Sequence, residues 1–212
     1  ASPASRAPGP PKRGKKRKKP DHDADDTRRR WSSSGQEGKD RNKLFNVDQG
    51  CEEYKEVETQ FMATMAGRAT IERIQRVENG HQYEAYSQQK KTIAEEIADL
   101  GMHCPSVERL LFHGSQQDSI QAIIHGKTAG FEPLASGSQV GAIWGDGTYF
   151  ARDAKYSHGY CQALACGKRE MLLNRVLVGL STKGKKGTKL YPKVQASGAS
   201  AQSPVLYHSL VD

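Results

Sequence analysis

The chain has no long apolar run in its 212 residues. That excludes a transmembrane helix and the apolar core of a secretory signal. A soluble, intracellular protein is the expectation. Its four cysteines, Cys51, Cys104, Cys161 and Cys166, are too scattered for a disulfide framework or a paired C-x-x-C zinc site, so reduced thiols are expected. Aromatic residues make up only 7% of the chain and apolar residues 35%, enough for one core with an appendage but not for two. The nearest approach to G-x-G-x-x-G is Gly145-x-Gly147, which does not open a strand-helix crossover, so a Rossmann site is disfavoured.

Positive charge is present, but it is unevenly spread. Of the net +8, residues 1–30 carry +7, leaving 21 basic against 20 acidic residues in a nearly neutral body. The run "PPKRGKKRKKP" has almost nothing apolar to bury, and its composition predicts disorder. It reads as a nuclear-import signal, as a weak nucleic-acid arm or as a solvating tail. The nucleus, with the cytoplasm as second choice, is the expected location.

After this tail, "WSSSGQEGKDRNKLFNVDQG" reads as a polar connector, so the division expected is 1–38 tail and linker, 39–212 folded domain. Tyr54, Val57, Phe61 and Met65 recur at helical spacing and predict a helix from Glu53 to about Met65. Ile71, Ile74 and Val77 fit a strand or a short helix broken at Asn79-Gly80, and Tyr83, Tyr86, Lys90, Ile93 and Ile97 mark a second amphipathic helix. Leu110, Leu111 and Phe112 form a short buried strand that delivers His113 and Gly114 to a strand-to-helix turn. The helix that follows has Ser115 or Asp118 as cap and Gly126 as stop. "GTYFA" reads as extended and Asp153 as a helix start, "REMLLNRVLVGLS" as the clearest strand, and "STKGKKGTK" as an exposed turn. Helices first, then strands mixed with short helices, give an α+β domain.

"FHGS" and "GDGTYFARDAKYSHGYCQ" concentrate the chemistry. Taken singly, glycines make turns, tyrosines fill a core rim and a histidine is a satisfied polar residue. Together they suggest more, because Gly114 and Gly145-Asp146-Gly147 permit close backbone approach to a ligand and tyrosines offer flat faces and hydroxyls. A zinc site would join His158 and Cys161 to His113 or Cys166, but only one close pair is visible where three or four ligands are needed. A thiol-histidine hydrolase on Cys161 and His113 lacks an orienting Asn or Asp.

In that order and spacing, "LFHGS", "GDGTYFARDAKYSHGYCQ" and "MLLNRVLVG" resemble the catalytic domain of the poly(ADP-ribose) polymerase superfamily, the diphtheria-toxin-like ADP-ribosyltransferases. "EEYKEVETQF" and "ATIERIQRVEN" resemble the helical entry of the subfamily with WWE or macro modules, in which mono-transfer predominates. The resemblance implies a split antiparallel sheet with short helices, NAD as substrate, no metal, protein acceptors including the chain itself, and no membrane partner. It implies that His113 and Tyr149 are triad residues at the nicotinamide ribose, that the Gly114 backbone and Ser157 hold the carboxamide, and that Tyr160 stacks on nicotinamide. Ser115 and Gly147 would lie nearer the adenosine half. The family's third triad position, on a later strand followed by a Pro-Glu-Tyr-like sequence, has no counterpart before Asp212, so a fragment or truncated product with an open sheet edge is also expected. The alternative function is a catalytically silent relative that still binds NAD or ADP-ribose.

Overall fold

The computed structural model describes residues 30–31, 42–126, 130–131, 144–145, 147–188, 192–194 and 205–211. The chain divides into two units, Ala1–Trp31 and Ser32–Asp212. Every element described below belongs to the second. Apart from Arg30 and Trp31, the expected tail and linker to residue 38 lie outside the described residues, as does most of "GFEPLASGSQVGAIWGDG".

Strand β1 (Asn42–Asn46) leads to helix α1 (Glu52–Met65), strand β2 (Gln75–Asn79) and helix α2 (Gly80–Asp99). Then come β3 (Glu108–His113), α3 (Gln117–His125), the short α4 (Ala154–His158), β4 (Leu172–Leu177), β5 (Ser181–Lys183) and β6 (Ser209–Val211). The strands form three ladders. β1 with β2 and β3 with β4 are antiparallel, whereas β5 with β6 is parallel. This is the α+β architecture expected, with one pair running the other way.

Helix α1 begins where Gly50 turns the chain at φ +93° and the Cys51 sulfur accepts the Tyr54 N–H at 3.4 Å. Glu52 and Glu53 add negative charge to its first turn, where the helix dipole favours it. Asn79-Gly80 is a helix start and not only a break: the Asn79 side chain accepts the Gln82 N–H at 3.1 Å, an N-cap that opens α2. Two expectations fail. Residues 42–46, read as connector, form β1, because five residues carry too little alternation to stand out. Ser181–Lys183, read as exposed turn, form β5, held by a partner strand distant in sequence.

Two apolar clusters sit in this unit. Met65, Phe112 and Ala154 are buried together with Phe61 and Leu173 around them, which fastens α1, β3, α4 and β4. Ile93, Ile97 and Leu180 form the second, joined by Leu177 and Tyr207. The β3–β4 register puts Phe112 opposite Leu173, so their side chains share the face that meets α4. At the far end of this ladder, Glu108 joins Arg175 at 2.6 Å, Lys90 at 3.2 Å and the Tyr86 hydroxyl. β6 is tied back by His208: its Nδ1 accepts the Leu180 N–H at 3.0 Å, so its Nε2–H donates to Glu96 at 3.0 Å.

The C-terminal end of α3 is closed by side-chain amides. Asn42 donates to the Ile124 carbonyl at 2.7 Å, Asn79 to the Gly126 carbonyl at 2.9 Å, and Gln82 to the Ile123 carbonyl at 2.6 Å. These are the carbonyls that a helix end leaves without intrahelical partners.

Among the described residues two buried side-chain atoms lack a hydrogen-bond partner, the Asn42 Oδ1 and the Asn174 Nδ2 in β4. An unpaired buried amide costs about 1–3 kcal/mol, so Asn174→Val should raise stability by about 1 kcal/mol. Urea unfolding tests this, and a lower midpoint for the variant would refute it.

Candidate active site

His113 is the last residue of β3, and the chain turns through 114–116 into α3, as the sequence predicts. The capping is different. Neither Ser115 nor Asp118 caps α3: Gln116 occupies the N-cap position without a side-chain bond. The Gln162 Oε1 instead accepts the Gln117 N–H at 3.0 Å, and the Gln162 N–H donates to the Ser115 carbonyl at 3.3 Å. The segment after α4 is thereby fastened to the strand-to-helix turn, a contact that no local pattern signals.

The His113 Nδ1 lies 2.8 Å from the Tyr149 carbonyl oxygen. A carbonyl can only accept, so Nδ1 carries the proton and Nε2 of the neutral ring keeps its lone pair. Burial lowers the His113 pKa, partly offset by the hydrogen bond to Tyr149. The ring meets Phe131 edge-on at 5.2 Å and Phe150 at 5.6 Å, and the two phenylalanines meet each other at 5.1 Å. Sequence reasoning missed both phenylalanines. The adjacency of Phe150 to Tyr149 was the available signal.

Gly114 is a site of forced contact. A Cβ there would stand 2.8 Å from the Cys161 sulfur and 2.9 Å from the Ser157 carbonyl carbon, and closer still to that carbonyl oxygen. The close approach that glycine permits is therefore to Ser157 of the chain itself. The Ser157 hydroxyl, buried with the residue, donates to the Phe112 carbonyl at 3.0 Å. Its one proton is thus used on β3, and its lone pairs remain for a donor such as an amide N–H.

Tyr160 follows, with its N–H on the Ser157 carbonyl at 3.0 Å. Its ring is 41% exposed and tilted against Tyr156 at 5.6 Å, with the two hydroxyls 3.3 Å apart. Tyr149 reaches the other way: its hydroxyl donates to the Gly145 carbonyl at 2.7 Å and accepts the Trp144 N–H at 3.0 Å. Gly145, at φ +106°, packs against the Thr188 carbonyl, so its close approach is also to the chain itself. Gly147 is half-buried two residues before Tyr149, and Asp146 lies outside the described residues.

β3 and the segment 149–160 are knitted together at Ala151, which exchanges backbone hydrogen bonds with Phe112 at 2.7 and 2.9 Å. The structure thus brings His113, Gly114, Tyr149, Ser157 and Tyr160 to one seam. Ser115 joins through its backbone, its carbonyl accepting the Gln162 N–H at 3.3 Å and its backbone also bonding to Cys161.

The competing chemistries fare differently. Cys161 is buried, burial pushes its thiol up to about 11 against the pull of Arg169, and its sulfur donates to the Ser157 carbonyl at 3.5 Å. A thiol so held is not the thiolate a cysteine hydrolase needs. Among the described residues, no group of three His, Cys, Asp or Glu side chains could hold a metal ion.

The class of this α+β domain is given by a family model, that of the poly(ADP-ribose) polymerase catalytic domain, which matches residues 51–204. The chain belongs to this family. Protein mono-ADP-ribosyltransferase PARP11 of Mus musculus is 36% identical over 121 residues, 56% of this chain and 33% of that protein. Its Homo sapiens counterpart is 38% identical over 121 residues, 56% of this chain and 32% of that protein. Protein mono-ADP-ribosyltransferase PARP12 of Mus musculus is 30% identical over 170 residues, 80% of this chain and 22% of that protein. The matches span about a third of the length of the first two relatives and less of the third.

Proposed function

We propose that this chain binds NAD at the seam between β3 and α4 and transfers a single ADP-ribose to a protein side chain, itself among the acceptors, releasing nicotinamide. The observation that carries this reading is the three-point closure of the seam. His113 Nδ1 is fixed on the Tyr149 carbonyl at 2.8 Å, Ser157 on the Phe112 carbonyl at 3.0 Å, and Gly114 lies flat against Ser157. The restriction to one unit follows the names of the relatives, which are mono-ADP-ribosyltransferases.

In this reading the carboxamide lies along Gly114, with an N–H on a Ser157 lone pair and the ring on the exposed face of Tyr160. The neutral His113 Nε2 accepts a hydroxyl of the nicotinamide ribose, and Tyr149 lines the same wall. NAD supplies a C1′–N1 bond that breaks with its electron pair leaving on nicotinamide. The acceptor's nucleophilic atom forms the new bond to C1′, and its proton passes to water. The protein gains rate by holding leaving group and ribose rigidly while positive charge develops at C1′. Ser115 and Gly147 are assigned to the adenosine side, 39–212 is the catalytic domain, and the basic run is assigned to nuclear import.

Incubation of the whole chain with adenylate-labelled NAD tests this, with protein-bound label read on a gel. One discrete labelled band is expected, and a high-mass smear would replace mono-transfer by polymer formation. A nicotinamide-like amide should also raise the melting temperature, and Tyr160→Ala should weaken amide binding about ten- to a hundredfold, the usual worth of a stacking ring. Amide binding without label would leave a silent binding module, and an unchanged shift in Tyr160→Ala would remove the pocket assignment.

A further inference from the structure

The body of the chain is nearly neutral, yet residues 171–211 contain no Asp or Glu against six basic residues, Arg175, Lys183, Lys185, Lys186, Lys189 and Lys193. Three of these are displayed by one hydrogen-bonded turn. β5 ends at Lys183, which is exposed, and Gly184 donates its N–H to the Val211 carbonyl at 2.7 Å. The chain then makes a closed β-turn: the Thr188 N–H reaches the Lys185 carbonyl at 3.1 Å and the Thr188 hydroxyl reaches it at 2.5 Å. Gly187 at φ +80° supplies the left-handed third position of this turn. Lys185 and Lys186 stand exposed on it, and neither they nor Lys183 form an ion pair among the described residues.

The turn is pinned to the wall of the candidate site. Gly184 lies against the Trp144 indole, where a Cβ would stand 2.9 Å from the ring, and the Thr188 carbonyl presses on Gly145. Those same two residues, Trp144 and Gly145, hold the Tyr149 hydroxyl. Lys183 and Lys185 therefore flank a glycine that touches the segment holding Tyr149, whose carbonyl meets His113, and Lys186 follows on the same turn.

We propose that the turn 183–188 docks the acidic flank of an acceptor polypeptide, so that proteins rich in Asp and Glu around the modified residue are preferred. The functional meaning rests on the ADP-ribosyltransferase reading above. A nucleic acid is the weaker occupant, since strand binding needs a basic groove long enough to track several phosphates with aromatic rings for the bases. This patch is a short turn, and the Trp144 indole beside it packs on Gly184.

The test uses the whole chain, so that the basic tail contributes equally to every variant. A short fluorescent Glu-rich peptide is titrated into the wild type, into Lys185→Glu with Lys186→Glu, and into the Gln pair. Affinity should fall about five- to twentyfold in the Glu pair and less in the Gln pair, the scale of losing and reversing exposed charges. The difference should shrink as added salt screens it. Binding of ADP-ribose should be unchanged in both variants. Equal peptide affinity across the three proteins would overturn the proposal. So would an equal loss for a single-stranded oligonucleotide, which would make the turn a general polyanion patch. A loss confined to ADP-ribose would move the lysines to the substrate's own phosphates. Peptide binding needs no turnover, so it stands or falls separately from the transfer assay, which alone tests the catalytic reading.

Discussion

Gly114→Ala should lower stability by about 2–5 kcal/mol, combining overpacking with a broken buried hydrogen bond, and should abolish binding of a nicotinamide-like amide. The added methyl would overlap the Ser157 carbonyl, a backbone group that moves only if α4 moves. Shifting α4 pulls the Ser157 hydroxyl off the Phe112 carbonyl and lifts Ala154 out of the cluster it shares with Met65 and Phe112. Gly159→Ala is the matched control, since a Cβ there meets only the Tyr156 carbonyl at an ordinary 3.5 Å. For a domain of this size the melting temperature of Gly114→Ala should fall by roughly 5–15 °C, while that of the control stays within a few degrees. A Gly114→Ala protein that melts with the wild type and still binds the amide would show that the seam yields more easily than its contacts imply.

His113→Ala should cut kcat/KM for transfer by about a hundredfold or more, on the scale of removing one fixed hydrogen bond to a developing charge. The pH profile gives a sharper test. Only the neutral ring offers Nε2 as an acceptor, and burial lowers the pKa of His113 from its ordinary 6.5. Transfer by the wild type should therefore hold as the pH drops through 6.5 and decline only at lower pH, where the folded ring takes up its proton. Stability moves in the same sense. Below 6.5 the unfolded chain binds this proton more readily than the folded one, so the contribution is complete above 6.5 and is lost as the pH falls through the folded value. The residual activity of His113→Ala should lack this acid limb. A wild-type profile that falls already above pH 6.5 would mean that the charged ring, or another group, governs the reaction.

Much of this was legible in the chain of letters, and the pattern of what was not is physical. α1, α2, β3 and β4 carry apolar periodicity long or dense enough to reveal both their type and their inward face, and Phe112 proved as buried as its strand required. β1, β5 and β6 are three to five residues long and owe their existence to partners far away in sequence, which no local window contains. Leu110, placed with Phe112 in a buried strand, is 41% exposed: it shares the face of Phe112, but it lies two residues further from the Met65–Phe112–Ala154 cluster and its register partner is Arg175, not an apolar residue. The glycines were recognised as places of close approach, but the neighbours proved to be Ser157 and Thr188, identities that only tertiary contact supplies.

The amides that close α3 bear on what holds the turn after β3 in place. Asn42 finds the Ile124 carbonyl 82 positions later in the sequence, and Asn79 spans 47 positions to Gly126. A helix of nine residues is too short to persist alone in water. Its last turn is finished by groups from β1 and from the β2–α2 junction, so α3 draws part of its stability from the β1–β2 ladder. α3 holds the turn that carries His113. The placing of His113 thus depends on a strand ladder remote from it in sequence.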